Sequence, residues 1–247
     1  MTKLTADLPG ASDLAMTLIE ISQSVTRGAE TFEVFNSLVE RCVELLPVAA
    51  AGILLRDVNG VLQVIGASSP SAHLLDLFQV QNEEGPCLEC CNTGVAVSDE
   101  SLDAAGSWPK FAKLTRETGF SAVYALPLHS KNVVVGALNL FAEKPISEDR
   151  LLVGQALADV ATMSLLQLDP QVDLQVMVRH IHIAVESKNT LEQAQGMIAQ
   201  RFNLDIESAY FRIRQAADET RLPLVEVARA VVQRDENSPV AKLLSKA

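Results

Sequence analysis

The chain has 247 residues, room for one or two domains of ordinary size, with 48% hydrophobic and 21% charged residues and only 12 Gly and 10 Pro. That composition excludes a disordered or fibrous protein, and the longest apolar runs, Pro47 to Leu55 and Val133 to Ala142, are too short to cross a bilayer. The start, Met1-Thr2-Lys3-Leu4-Thr5-Ala6-Asp7, has one Lys and no apolar run behind it, so a cytoplasmic protein with no membrane partner is expected. The net charge of -11 argues against a polyanionic partner, but it is unevenly spread. Residues 1–180 carry 11 Lys+Arg against 22 Asp+Glu, 181–234 carry 7 against 7, and 235–247 carry 2 against 2. The step fits two domains with different partners, and equally one acidic domain with a neutral helical appendix.

Apolar residues at helical spacing open the chain, in 12–26 (Leu14, Leu18, Ile21, Val25) and 31–46 (Val34, Leu38, Val39, Cys42, Leu45, Leu46). After Pro47 comes a strand-length apolar run to Arg56, then the turn signal Asn59-Gly60 and a return strand over 61–66. A helix around 72–79, a turn-rich segment from Asn82 to Gly94, a short strand near 95–97 and a helix over 110–118 follow. Residues 121–128 and 133–141 form a second long hairpin, and everything from Ile146 onward is helical. Helix, hairpin, helix and hairpin in that order predict an α+β domain on an antiparallel sheet. Asp169-Pro170 interrupts the helical region and is a good start for a fresh helix, in which Leu174, Val178, Ile181 and Val185 are spaced 4-3-4, as in a coiled-coil seam or a face packed on its own domain.

The four cysteines, Cys42, Cys87, Cys90 and Cys91, are too few and too clustered for a disulfide framework, so reduced thiols are expected. Cys87-x-x-Cys90-Cys91 leaves three readings open: ordinary buried cysteines, reversible thiol chemistry with Cys87, Cys90 and Cys91 as redox sensors, or zinc, for which no second Cys or His pair lies nearby. No phosphate-binding Gly loop, His-rich metal motif or nucleophile with an evident base occurs, so an enzyme is not expected, and no cofactor or metal is implied.

The C-terminal part reads as three amphipathic helices, 180–202, 206–220 and 223–233, with many apolar positions occupied by Ala. Gly196 stands mid-helix, where glycine costs about 1 kcal/mol relative to Ala, so either close helix packing or room for a ligand backbone should compensate. These segments, Leu191-Glu192-Gln193-Ala194-Gln195-Gly196-Met197-Ile198, Glu207-Ser208-Ala209-Tyr210-Phe211-Arg212-Ile213-Arg214-Gln215-Ala216-Ala217 and Leu224-Val225-Glu226-Val227-Ala228-Arg229-Ala230-Val231-Val232, closely resemble the ANTAR domain. Upstream, Glu84-Gly85-Pro86-Cys87-Leu88-Glu89, Trp108-Pro109, Gly119-Phe120, Leu126-Pro127-Leu128 and Gly136-Ala137-Leu138-Asn139-Leu140 are similar to GAF domains of actinobacterial GAF-ANTAR regulators.

The resemblance implies an α+β GAF domain, its antiparallel sheet flanked by helices, then a helical linker and an all-α three-helix ANTAR domain. The expected boundaries are 1–168 (core 14–168), 169–180 for the linker, 181–234, and a tail at 235–247. It further implies a transcription antitermination regulator that binds paired RNA hairpins as a homodimer, with the GAF domain as the sensory half for a ligand that the residues do not identify. The expected RNA-binding residues are Lys188, Gln195, Gly196, Arg201, Tyr210, Arg212 and Arg214, with Lys188, Gln195 and Arg214 foremost. Gln195 stands where the family usually has Lys, and Lys188 where it usually has Arg, which weakens the phosphate term. Two other readings remain at this point. One is a DNA-binding helix-turn-helix regulator, for which the third helix offers only Arg229 and Gln233 as polar readers; the other is a GAF sensor or interaction module without nucleic acid.

Overall fold

A computed structural model describes residues 11–26, 31–57, 59–102, 106–130, 133–166 and 174–234, and the chain divides into two compact units after His182. In the first unit, α1 (Ala11–Thr26) and α2 (Thr31–Leu45) lead into the hairpin β1 (Ala50–Arg56) and β2 (Leu62–Ala67). Helices α3 (Pro70–Asn82) and α4 (Pro86–Thr93), strand β3 (Val97–Asp99) and helix α5 (Pro109–Glu117) come next. The hairpin β4 (Ala122–Ser130) and β5 (Val133–Ala142) and helix α6 (Glu148–Leu166) complete the unit. The five strands form one antiparallel sheet in the order β2-β1-β5-β4-β3.

Both faces of the sheet are covered, which is why β1 and β5 read as almost unbroken apolar runs rather than alternating ones. Helices α2 and α6 pack on one face with α1 against both, and α3 and α4 on the other with α5 against α3. The turn expected at Asn59-Gly60 forms: Asp57 Oδ1 accepts from the Asn59 and Val61 amides at 2.8 and 3.0 Å, and Gly60 takes φ +80. The turn-rich stretch Asn82 to Gly94 differs from expectation, because it contains α4. Its Pro86 is the first helical residue and Gly94 the left-handed cap, so punctuation that suggested a loop instead brackets a short helix. The third strand forms two residues later than expected, at Val97–Asp99.

The second unit contains the end of α7 (Leu174–Phe202), α8 (Ile206–Thr220) and α9 (Leu224–Val232). The expected linker helix and first C-terminal helix are one element, α7, and the division between units falls inside it, after His182. Asp169-Pro170 and the 235–247 tail lie outside the described residues. Of the 4-3-4 seam, Ile181 is buried and Val185 half-buried; nothing is described of the Leu174 and Val178 side chains. Asp205 caps α8 by accepting the Ser208 amide at 2.7 Å, and Arg221 closes the helix in the left-handed conformation. The buried apolar side chains described here are all aliphatic, about half of them alanine: Ala184, Leu191, Ala194, Ile198, Ala209, Ile213, Ala216, Ala217, Val225, Val227 and Ala228, with Ser187 the buried polar one.

Gly136 shows how closely the sheet is built. A Cβ there would lie 2.0 Å from the Leu54 carbonyl oxygen, a backbone atom of the neighbouring strand. Gly136→Ala should therefore lower the stability of the full chain by about 1–3 kcal/mol, the usual penalty for overpacking. A urea titration that finds the variant as stable as the parent would contradict this.

Candidate functional site

The C-terminal unit carries the first candidate. Along α7, Asn189, Gln193, Gly196 and Gln200 follow each other at spacings of 4, 3 and 4, and all are exposed, so one helix face presents three amides around a glycine. A Cβ built on Gly196 would meet nothing within 4 Å. Gly154 in α6 is the opposite case, since its Cβ would lie 3.1 Å from Leu126 Cδ1 and 3.3 Å from Leu140 Cδ1, so close packing explains it. Within the described residues, packing does not explain Gly196. Gln195 is half-buried beside it. Lys188 is not a freely solvated cation: its side chain is 16% exposed, and Nζ lies 2.9 Å from Glu192 Oε1 one turn on.

Arg201 and Arg212 converge. Both guanidinium groups lie over the Phe202 ring, 5.4 and 3.9 Å from its centroid, within cation-π range. Tyr210 is half-buried, its ring in an edge arrangement with that of Phe211 at a centroid separation of 6.2 Å, whereas Phe211 is 58% exposed. Arg214 is exposed one turn after Phe211. Of the expected residues, the fold thus gathers Arg201 and Arg212 on one ring, sets Tyr210 beside Phe211, and leaves Lys188, Gln195 and Gly196 on α7. In α9, Arg229 pairs with Glu226, an acid on its own helix.

The second candidate lies inside the first unit and was not anticipated from sequence. Asp76 on α3, fully buried, accepts at Oδ1 from Asn139 Nδ2 at 2.8 Å and from Gln79 Nε2 at 3.4 Å. Gln79 Oε1 in turn accepts the Cys87 amide at 2.9 Å, supplying the N-terminus of α4. Asn139 on β5 pairs across the sheet with Gly52 on β1, and a Cβ on Gly52 would fall 1.9 Å from Asp76 Oδ2. Glycine at 52 is what admits the carboxyl. Among the described residues, Asp76 Oδ2 and Asn139 Oδ1 have no hydrogen-bond partner. The sequence signal was present: Ala72, Leu75, Asp76 and Gln79 fall on one helical stripe, so the two polar residues sit on the inward face.

The cysteines flank this cluster. Cys87, Cys90 and Cys91 are buried and unbridged, packed against Leu54, Leu62, Val64, Ala125 and Ala137. Contact with the Cys91 sulfur and burial hold the Cys87 thiol well above its ordinary range. The same contact holds Cys91 below it, against burial and with help from Arg56, whose Nη2 also donates to the Cys91 carbonyl at 3.4 Å and Asn92 Oδ1 at 3.3 Å. Burial pushes Cys90 up to about 12. Among the described residues, no group of three or more His, Cys, Asp and Glu side chains could hold a metal ion.

Burial raises the Asp76 carboxyl to about 8, against the hydrogen bonds from Asn139 and Gln79 that favour its charged form. One proton on Asp76 Oδ2 also gives that oxygen a donor function. The folded state therefore binds a proton that the unfolded chain has released above the ordinary carboxylate pKa. This contribution to stability is full below about 4 and is lost between about 4 and about 8 at about 1.4 kcal/mol per pH unit. Asp76→Asn supplies the donor at every pH. The variant's stability relative to the parent should rise with that slope between pH 5 and 7.5 and level off above 8; a pH-independent difference in urea denaturation would show that Asp76 stays charged.

Comparison with known proteins follows the same division. Residues 29–165, more than half of the chain, match the GAF domain family, and residues 179–232 match the ANTAR domain. Among solved structures, the GAF domain of a phosphoenolpyruvate-protein phosphotransferase from Coxiella burnetii superposes with a TM-score of 0.51 at 16% identity, covering 64% of this chain and 95% of that one. A GAF domain/HD domain protein from Geobacter sulfurreducens gives 0.49 at 16% identity over 58% and 97%, and the GAF domain of an Acinetobacter phosphoenolpyruvate-protein phosphotransferase 0.48 at 14% over 65% and 96%. Likeness at such identity concerns the fold alone. No curated protein sequence matches the chain. The antiparallel five-stranded sheet with its helices is thus a GAF fold, the helical C-terminal region is an ANTAR domain, and the chain belongs to the GAF-domain family with a GAF-ANTAR architecture.

Proposed function

We propose that this protein is a non-enzymatic regulator whose ANTAR domain binds paired RNA hairpins as a homodimer, preventing a terminator from forming, under control of the GAF domain as a cytoplasmic sensor. The observation that carries the reading is Gly196. An open glycine in the middle of a long helix, flanked along one face by Asn189, Gln193 and Gln200, lets a polar ligand approach the helix backbone while amides meet its donors and acceptors. Unpaired bases in a hairpin loop expose such edges, whereas a duplex hides them. A recognition helix for the major groove is less well supported, because Arg229 of α9 is engaged by Glu226. Exposed Met16 and Ile19 on α1, with Leu152 and Met163 on α6, offer apolar surface for a second copy. Among the described residues no helix is long and apolar enough to cross a membrane.

A gel shift at fixed salt compares two-hairpin RNA with duplex DNA, and retention of RNA alone is the expected result. Gly196→Ala gives a finer test, because its two effects oppose each other. The added methyl should stabilise α7 by up to about 1 kcal/mol and weaken RNA binding about tenfold or more. A stabilised variant that binds RNA unchanged would remove Gly196 from the interface.

A further inference from the structure

All three aromatic residues of the C-terminal unit, Phe202, Tyr210 and Phe211, fall within ten residues, and none belongs to its core. The buried apolar set there is Ala, Val, Leu and Ile, while Phe202 and Tyr210 are half-buried and Phe211 is exposed. Large rings ordinarily contribute most to a small core. Here they sit where the cations are: Arg201 and Arg212 lie over Phe202, Tyr210 meets Phe211 edge-on, and Arg214 follows one turn later. Glu207, one turn before Phe211, and Asp218, one turn beyond Arg214, bound the patch, so the middle of α8 is aromatic and cationic although the unit carries 7 Lys+Arg and 7 Asp+Glu between 181 and 234.

Single exposed apolar residues are common and need no explanation. Phe211 differs in its neighbours. A ring beside guanidinium groups is the combination that holds single-stranded nucleic acid, the ring stacking on a base and the cations meeting the flanking phosphates. A guanidinium held over a ring is also restricted in orientation before any ligand arrives, which reduces the entropy lost on binding.

We propose that Phe211 is a base-stacking residue, the centre of an aromatic-guanidinium patch with Phe202, Tyr210, Arg201, Arg212 and Arg214 that takes one unpaired base and its adjoining phosphates from a hairpin loop. The inference rests on the RNA-binding reading above and adds to it the contact that selects unpaired over paired RNA. It also adds Phe211 to the expected RNA-binding residues, among which Tyr210 was the one aromatic.

The test uses the full chain, a pool of two-stem-loop RNAs with randomised loops, and the same stems as blunt duplexes, titrated at several salt concentrations. Phe211→Ala should weaken stem-loop binding about tenfold or more without changing the dependence of affinity on salt, because no phosphate contact is lost. Phe211→Trp should restore binding, and neither variant should alter the weaker binding to blunt duplex. Arg201→Ala should instead flatten the salt dependence by about 0.7 to 0.9 per contact on a logarithmic scale. The proposal is overturned if Phe211→Ala binds stem-loops like the parent, loses affinity equally for duplex, or changes the oligomeric state in place of RNA affinity. A parent protein that binds neither RNA refutes the RNA-binding reading itself, a result distinct from all of these.

Discussion

The ANTAR domain has no net charge to spend on a polyanion, with 7 Lys+Arg and 7 Asp+Glu between 181 and 234, in a chain of net charge -11. Long-range attraction is therefore absent or adverse, and screening at physiological salt confines whatever remains to about 8 Å. Any affinity for phosphate must come from where individual cations are held. Two guanidinium groups drawn to one site repel each other, and the face of an aromatic ring offsets that repulsion. Phe202, with Arg201 and Arg212 over it, is such a device. It works because the core can be built without rings: the buried apolar side chains of α7, α8 and α9 are alanines and aliphatics, which leaves the aromatics for the surface.

The GAF domain is organised around a different constraint, a carboxyl in the middle of an apolar sheet face. Asp76 separates two apolar clusters, one around Phe111, Phe120 and Phe141 and one around Leu54, Ala137 and the three cysteines of α4. Its donor, Asn139, sits opposite Gly52 in the β1–β5 register. A one-residue slip of β5 would send Asn139 to the other face and leave a buried acid without its amide, so the polar pair penalises misregister where near-uniform aliphatic strands discriminate weakly. Gln79 carries the connection on to the first turn of α4.

The strands and most helices were legible because their patterns are local: Asn59-Gly60 between apolar runs, a Pro at the start of α3 and of α5, and 3.6-residue periodicity in α2 and α8. Helix α4 was not, because its eight residues hold four hydrophobic positions and are bracketed by Gly85-Pro86 and Gly94, which mark loops as often as helix ends. The expected cations were legible as residue types but not as a surface. That Lys188 is tied to Glu192 follows from i,i+4 spacing, whereas the meeting of Arg201 and Arg212 on Phe202 depends on how α7 and α8 pack. The inward position of Asp76 was legible in its helical stripe, but its partner Asn139 lies 63 residues away, and only the sheet register brings the two together.

The segments that resemble known families differ in what the fold already explains. Glu84 accepts the Lys110 and Phe111 amides at the start of α5, Gly85 leaves room for the Gln79 side chain, Pro86 begins α4, and the Cys87 amide is held by Gln79. Each of those residues has a structural task, so the motif over 84–87 reports on the GAF fold and is silent about a ligand. Among the described residues Gly196 has no such task, and neither packing nor capping there accounts for an exposed Phe at 211 or for the amides at 189, 193 and 200. A residue that lowers helix propensity, or leaves a large ring in water, without an intramolecular return is most simply explained by a partner. By that measure the unexplained positions of the ANTAR domain lie on α7 and α8, the same two helices that carry the converging guanidinium groups.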